Sequence, residues 1–114
     1  MRMKKIEAII KPQQLDTVNA ALVAAGAHGM TVTEVKGTEV KGQAIEVPRG
    51  APHANDFAAR VLLEAVVPES LVPDAIAAIR SAAQTGSTGD GKVFVGSVDE
   101  AIRIRTGEHG IDAL

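Results

Sequence analysis

The feature that most constrains the fold is the order of strand-like and helix-like segments along the chain. Apolar residues that alternate predict strands, whereas apolar residues that recur every three or four positions predict helices. Strands are predicted at residues 5–11, 30–36, 60–67 and 92–98, and helices at residues 14–25 and 71–83. The resulting order, β-α-β-β-α-β, predicts an α+β domain of ferredoxin-like architecture, in which an antiparallel sheet carries both helices on one face.

Residues 37–56, between the second and third predicted strands, follow neither periodicity. This segment contains several residues that interrupt regular structure, namely Gly37, Gly42, Pro48, Gly50 and Pro52. Structureless segments longer than about 12–15 residues are uncommon in compact domains, where they are usually functional or disordered. We therefore predict a long loop at this position.

Composition narrows the class of protein. The 114 residues suit a single domain, and no apolar run is long enough for insertion into a membrane. The chain has no cysteine, which excludes disulfide and thiolate chemistry and fits a cytoplasmic protein. A net charge of −2 and the lack of Trp and Tyr argue against nucleic-acid binding. The core is small and aliphatic, and such cores often gain stability by oligomerisation.

A glycine-rich segment at residues 85–92, TGSTGDGK, has the composition of a phosphate-binding loop. Glycines let backbone N–H groups approach an anion closely because no Cβ intervenes. Lys92 adds a positive charge at the end of the segment. Arg103 and Arg105 lie two residues apart, so in an extended chain both guanidinium groups would share one face. Together these residues predict a site for phosphate groups.

Two other interpretations of this segment compete with that prediction. Gly86 to Lys92 fits the G-x-x-x-x-G-K part of a P-loop, but Val93 stands where that motif has the Ser or Thr that holds magnesium. The order of elements is also reversed, because a predicted helix precedes the segment and a strand follows it. These differences disfavour a P-loop NTPase. The simpler alternative is a glycine-rich turn with a solvated lysine.

Several motifs resemble those of PII signal-transduction proteins. They are residues 4–12 (KKIEAIIKP), 29–37 (GMTVTEVKG), 49–50 (RG), 83–86 (AQTG), 89–92 (GDGK) and 102–108 (IRIRTGE). The resemblance covers nearly the whole chain, and the last two motifs in this order are highly specific. It implies a homotrimer of ferredoxin-like subunits whose intersubunit clefts bind an adenine nucleotide: ATP, ADP or AMP.

The resemblance also implies which parts of the chain would form the site. The B-loop would be residues 85–92, the C-terminal loop about 103–112, and the T-loop, which docks on a target such as a transporter or metabolic enzyme, about 38–57. The implied nucleotide-binding residues are Ile9, Thr31, Gly37, Thr38, Glu64, Val66, Gly89, Asp90, Gly91, Lys92, Arg103 and Arg105. No general base or activated nucleophile is apparent, so we expect a nucleotide sensor and not an enzyme.

The long loop departs from the pattern of the family. Typical members carry a Gln that helps to place magnesium and 2-oxoglutarate beside ATP. The matching residue here is Lys41, which has donors but no acceptor oxygen, so bound magnesium is not expected. The family's Lys that meets the 2-oxoglutarate carboxylate matches Arg60, which keeps the charge. Lys41 and Arg60 would suit a small anion such as bicarbonate. The alternative is an ordinary 2-oxoglutarate sensor in which Lys41 is solvated.

The covalent modification sites of the family are replaced as well. The uridylylated Tyr matches His53 and the phosphorylated Ser matches Ala51, so control of these kinds is not expected. His53 and His109 each lack a partner at metal-ligand spacing, so metal binding is not expected either. These differences indicate a divergent member of the family, and the resemblance implies that it senses nitrogen or carbon status.

Overall fold

A four-stranded sheet organises the computed structural model, which describes residues 2–38 and 57–114. Its strands are β1 (Met3–Ile10), β2 (Thr31–Thr38), β3 (Phe57–Pro68) and β4 (Lys92–Val98). They pair antiparallel in the spatial order β2-β3-β1-β4. Helix α1 (Leu15–Ala25) follows β1, and helix α2 (Val72–Ala83) follows β3. This arrangement confirms the predicted ferredoxin-like order βαββαβ.

Both helices pack on the same face of the sheet. That face is built from alternate residues of the two central strands, each no more than 5% exposed: Ile6, Ala8, Ile10, Val61, Leu63, Ala65 and Val67. Val18 and Leu22 of α1 and Ala75 and Ile79 of α2 cover it and are themselves buried. Each large aliphatic side chain buried here contributes roughly 1.5–3 kcal/mol to folding. The apolar periodicities of the sequence therefore identify the core correctly.

Proline and glycine mark the two ends of α1. Pro12 follows β1 and begins a 3₁₀ turn, Pro12–Gln14, that leads into the helix. Gly26 ends the helix with φ +107°, a conformation that most residues avoid. The Gln14 side chain donates to the carbonyl oxygen of Ala82 at 2.9 Å, which ties the start of α1 to the end of α2.

The helices leave the opposite face of the sheet uncovered. The register places Thr33, Leu62, Ile9 and Lys92 in one row across the four strands. Because side chains alternate along a strand, this open face also carries other residues predicted for the functional site, namely Thr31, Gly37, Arg60, Glu64 and Val66. The fold therefore presents half of the predicted site residues on one surface.

Every strand except β4 differs from its predicted bounds by one to three residues, and the extension of β2 bears on the site. β2 and β3 pair as far as Thr38 and Phe57, so Gly37 and Thr38 belong to a strand although the sequence placed Gly37 in a loop. Pairing with a neighbouring strand outweighs the low strand propensity of glycine. The rest of the predicted long loop, residues 39–56, lies outside the described residues. Within the described ranges, no helix is long and apolar enough to cross a membrane.

Candidate functional site

The glycine-rich loop lies against the end of β1. Gly91 has φ +113°, and a Cβ atom placed on it would lie 1.8 Å from the carbonyl oxygen of Ile9. Lys92, the next residue, pairs with Ile9 in the ladder between β1 and β4. The loop can approach β1 this closely only because residue 91 lacks a side chain. The structure therefore brings together Ile9, Gly91 and Lys92, all of which were predicted for the site.

The carboxylate of Asp90 holds the loop in shape. It accepts hydrogen bonds from the N–H of Thr85 at 2.8 Å, from the N–H of Gly86 at 3.1 Å and from the Thr85 hydroxyl. The hydrogen bond from the Thr85 hydroxyl is the main reason that the pKa of Asp90 lies well below its usual range, and the bond from the Thr85 amide is the second, because both stabilise the charged form. The resemblance implied that Asp90 meets phosphate. In the structure the Asp90 carboxylate instead accepts hydrogen bonds from its own loop. Only the backbone N–H of Asp90 is therefore left to meet phosphate.

Lys11, directly after β1, also contacts the loop and was not among the predicted residues. Its ammonium group donates to Ser87 Oγ at 2.6 Å and to Thr85 Oγ1 at 3.3 Å, and it lies 3.3 Å from Asp90 Oδ1. The two hydrogen bonds join residues that are 76 and 74 positions apart, so periodicity gives no sign of them. The only sequence signal is the motif at residues 4–12, which the resemblance marks without giving Lys11 a role.

We expect the low pKa of Asp90 to affect stability in acid. An unfolded Asp takes up a proton near pH 4, whereas Asp90 in the folded chain does so at lower pH. Its contribution to stability is therefore complete above about pH 4 and is lost as the pH falls through the pKa of the folded state. Asp90→Asn removes this contribution. Between about pH 4 and 2, the free energy of unfolding of Asp90→Asn should fall less steeply with decreasing pH than that of the wild type. The two slopes should differ by at most the uptake of one proton per chain. Urea unfolding at each pH measures the two slopes, and equal slopes would contradict the expectation.

A second group of predicted residues lies towards the β2 edge of the sheet. Thr31, Glu64 and Val66 line a cleft of about 310 Å³. Glu64 Oε2 lies 2.7 Å from Lys5 Nζ, and this hydrogen bond and charge raise the pKa of Lys5 above its ordinary value. A hydroxyl and a carboxylate beside an apolar wall could hold a flat ring that carries polar groups, such as a nucleobase.

The two predicted arginines lie in a turn, so the extended chain in which their spacing would place them on one face is not present here. The N–H of Gly107 donates to the carbonyl oxygen of Arg103 at 2.7 Å, and Gly107 reverses the chain at φ +76°. Arg103 Nη1 lies 3.3 Å from Glu108 Oε1, and Nη2 donates to the main-chain oxygen of Leu114 at 2.9 Å. Arg105 is exposed within the turn.

Arg103 is nevertheless connected to the second group. Leu114, whose main-chain oxygen Arg103 contacts, also lines the cleft formed by Thr31 and Glu64. The segment after β4 therefore returns to the open face of the sheet near the β2 edge. An arginine at this place adds positive charge beside the cleft.

Gly37 and Thr38 lie at the end of β2, close to Arg60. A Cβ atom on Gly37 would lie 3.4 Å from Arg60 Cγ, and Arg60 Nη1 donates to the carbonyl oxygen of Ala59 at 2.7 Å. Lys41, the other residue predicted for a small anion, lies outside the described residues, as does His53. The structure thus places one member of the predicted anion pair.

The two groups of site residues lie at opposite edges of the sheet. Lys92 belongs to edge strand β4, whereas Thr31 belongs to edge strand β2. Three strand spacings separate these edges, which corresponds to roughly 14 Å or more. One chain therefore does not bring its glycine loop and its Thr31 cleft together.

Two further features lie near the glycine loop and the C-terminal turn. A cleft of about 370 Å³ between α2 and the loop is lined by Ile79, Arg80 and Val93, on the helix side of the sheet. Sequence reasoning did not single out Arg80, because it stands in an otherwise ordinary helix. In the described part of the chain, no three His, Asp or Glu side chains are placed to hold a metal ion. His109 Nδ1 instead lies 3.3 Å from Glu100 Oε1.

Comparison with known proteins gives consistent matches. A family model described as "Nitrogen regulatory protein P-II" matches residues 3–108. A nitrogen regulatory protein P-II of Bradyrhizobium diazoefficiens is 58% identical over 113 residues, covering 98% of this chain and 100% of that protein. The protein of the same name from Azospirillum brasilense is 54% identical over 112 residues, again covering 98% of this chain and 100% of the relative.

Solved structures agree with these matches. B. subtilis GlnK superposes with a TM-score of 0.83 at 30% sequence identity, covering 100% of both chains. Arabidopsis thaliana PII bound to citrate superposes with a TM-score of 0.82 at 36% identity, covering 99% of this chain and 92% of that one. The similarity therefore extends to sequence and fold along nearly the whole chain.

Proposed function

The chain belongs to the nitrogen regulatory protein P-II family, and we propose that it is a sensor that binds an adenine nucleotide between copies of itself and reports metabolic status to a target protein. It is a regulatory protein and not an enzyme, like its close relatives. The observation that carries the nucleotide proposal is the placement of the glycine loop and Lys92 at one edge of the sheet and of the Thr31 cleft at the other.

The glycine loop offers the groups that nucleotide phosphates require. Asp90 uses the amides of Thr85 and Gly86 to fix the loop, and we assign the amides of residues 89–91 to the phosphates. Lys92 adds an ammonium group at the end of the loop. Backbone amides and a cation together can offset the charge of a di- or triphosphate.

Assembly of copies head to tail would complete the site. β2 and β4 are unlike edges of one sheet, so contact between them is heterologous, and we propose that it closes into a ring of three copies, a homotrimer. Phe94 on β4 is 51% exposed and Ile104 is 100% exposed in the single chain, which favours their burial against a neighbouring copy. The nucleotide would then lie between the glycine loop of one copy and the Thr31 cleft of the next, beside Arg103.

We assign a second effector to the end of β2. The side chain of Arg60 passes beside Gly37, next to the proposed T-loop, residues 38–57. The Arabidopsis relative is bound to citrate, an anion with several carboxylates. We propose a small anion at this place, paired with Arg60 and Lys41, and a T-loop that docks on the target protein.

Isothermal titration calorimetry of the wild-type protein with ATP, ADP and AMP tests the nucleotide proposal. We expect one nucleotide to bind per chain, and we expect light scattering to show a trimer, because each complete site needs two copies. A protein that stays monomeric at micromolar concentration and binds none of the three nucleotides would overturn the proposal.

The same titrations, repeated with 2-oxoglutarate or bicarbonate and with or without magnesium, identify the second effector. We expect little magnesium-dependent coupling between ATP and 2-oxoglutarate, because Lys41 offers no oxygen to the metal. Bicarbonate should tighten ADP or AMP binding by about 1–3 kcal/mol, and each nucleotide should tighten bicarbonate binding equally, since coupling is reciprocal. If 2-oxoglutarate with magnesium tightens ATP binding by about tenfold while bicarbonate has no effect, the chain is an ordinary 2-oxoglutarate sensor.

A further inference from the structure

Lys11 is a charged residue that lies outside the glycine loop but is bound into it. Its ammonium group meets three oxygen atoms of the loop: Ser87 Oγ at 2.6 Å, Thr85 Oγ1 at 3.3 Å and Asp90 Oδ1 at 3.3 Å. An ammonium group has three donors, so these contacts account for all of them. Only 21% of the Lys11 side chain and 23% of the Asp90 side chain are exposed, so this ion pair is largely withdrawn from water.

The contacts of Lys11 fall on both arms of the loop. Thr85 and Ser87 lie on the arm that leaves α2, and Asp90 lies on the arm that enters β4. Asp90 is in turn bonded to Thr85 and Gly86 on the first arm. Loss of the Lys11 ammonium group would leave the carboxylate without its cation and the Ser87 hydroxyl without this donor. Lys11 and Asp90 therefore hold the two arms against each other.

We infer that Lys11 is a positioning residue for nucleotide phosphates: it keeps the glycine loop in the shape that presents the amides of residues 89–91 and Lys92 to them. Its own ammonium group is engaged by the loop, so it does not contact the nucleotide. The inference rests on the proposed function, because it concerns the same loop. It adds a residue outside the loop that controls affinity for phosphate.

The test compares Lys11→Met with Lys4→Met. Lys4 belongs to β1, which Lys11 directly follows, and it donates to Ser97 Oγ at 3.0 Å, so each change removes one lysine–serine hydrogen bond. Calorimetry should show ATP and ADP binding about tenfold more weakly to Lys11→Met, and with wild-type affinity to Lys4→Met. Adenosine, which has no phosphate, should bind equally to the wild type and both variants when followed by ligand-observed NMR.

Salt dependence separates positioning from direct contact. Lys92→Met removes a cation assigned to the phosphates, so the ATP affinity of this variant should depend less on salt than that of the wild type. Lys11→Met should keep the wild-type salt dependence, and Lys11→Arg, which keeps the charge, should recover part of the lost affinity. A reduced salt dependence in Lys11→Met, or an equal loss of adenosine and ATP affinity, would overturn the inference.

A second variant and a second measurement cover the case in which Lys11→Met does not fold. Ser87 is exposed, so Ser87→Ala leaves the core intact and should weaken ATP binding about two- to threefold without affecting adenosine. Unchanged ATP affinity in Ser87→Ala and Lys11→Arg would overturn the inference. Hydrogen exchange at the amides of Thr85 and Gly86 should be faster in both variants than in the wild type. A wild-type protein that binds no nucleotide would overturn the proposed function. In that case the hydrogen-exchange rates of the Thr85 and Gly86 amides still show whether Lys11 orders the loop.

Discussion

Replacing Gly91 with alanine is expected to lower the free energy of unfolding by at least about 3 kcal/mol. Two effects act at this position. The backbone has φ +113°, which an L-residue adopts only under strain, and the new Cβ would meet the carbonyl oxygen of Ile9 at 1.8 Å. That oxygen belongs to a central strand paired on both sides, so it cannot move without disturbing the sheet.

Gly86→Ala is the matched control. Gly86 lies in the same loop with φ +87°, but a Cβ atom there would meet nothing within 4 Å. Gly86→Ala should therefore lower the free energy of unfolding only through the strained backbone conformation, by about 1–2 kcal/mol. Urea unfolding at one fixed protein concentration measures both variants. Equal losses would show that the close approach to Ile9 does not matter.

Replacing Lys92 with methionine is expected to weaken ATP binding by about 1.5–3 kcal/mol, the scale of a hydrogen bond to a charged group. Methionine keeps the length and apolar stem of lysine, so the change removes little besides the charge. Lys92 is exposed at the start of β4, and its backbone pairing with Ile9 does not depend on the side chain. The free energy of unfolding without ligand should therefore stay close to that of the wild type.

Calorimetry with ATP and AMP checks this expectation. The loss should be larger for ATP than for AMP, because more phosphate charge is left without a partner. Lys4→Met, which removes a half-buried lysine at the other end of the sheet, should bind both nucleotides normally. Unchanged ATP affinity in Lys92→Met would mean that the lysine is only solvated and that the glycine loop is an ordinary turn.

The elements of the fold could be predicted because their signals are local. The strand at Lys92–Val98 has the predicted bounds, and α2 begins one residue later than the predicted 71. Gly37 was placed in a loop because its own preference opposes a strand. In the structure Gly37 is part of β2 because it pairs with Ala58 of β3. This pairing could not be predicted, because the segment between the two residues follows no periodicity that would set their register.

The candidate site could be predicted in part. A run of glycines followed by lysine is visible in the sequence, and its glycines do hold left-handed conformations. The direction of the Asp90 carboxylate was not predictable, because it depends on the folded loop. The hydrogen bonds from Lys11 join positions far apart in the chain, and only the packing of β1 beside β4 brings them together. The spacing of Arg103 and Arg105 would align them only in an extended chain, and Gly107 closes a turn there that residue spacing does not reveal.

The separation of Lys92 and Thr31 on opposite edges of the sheet has a consequence for inheritance. In a head-to-tail ring, each site takes one half from each of two neighbouring chains. A gene copy that damages the Lys92 half and another that damages the Thr31 half each produce rings without a working site. When both are expressed in one cell, every mixed ring has a place where the intact half of one product faces the intact half of the other. Two defective alleles can therefore complement each other, and a single defective allele expressed beside the normal one removes sites in proportion to its share of the chains.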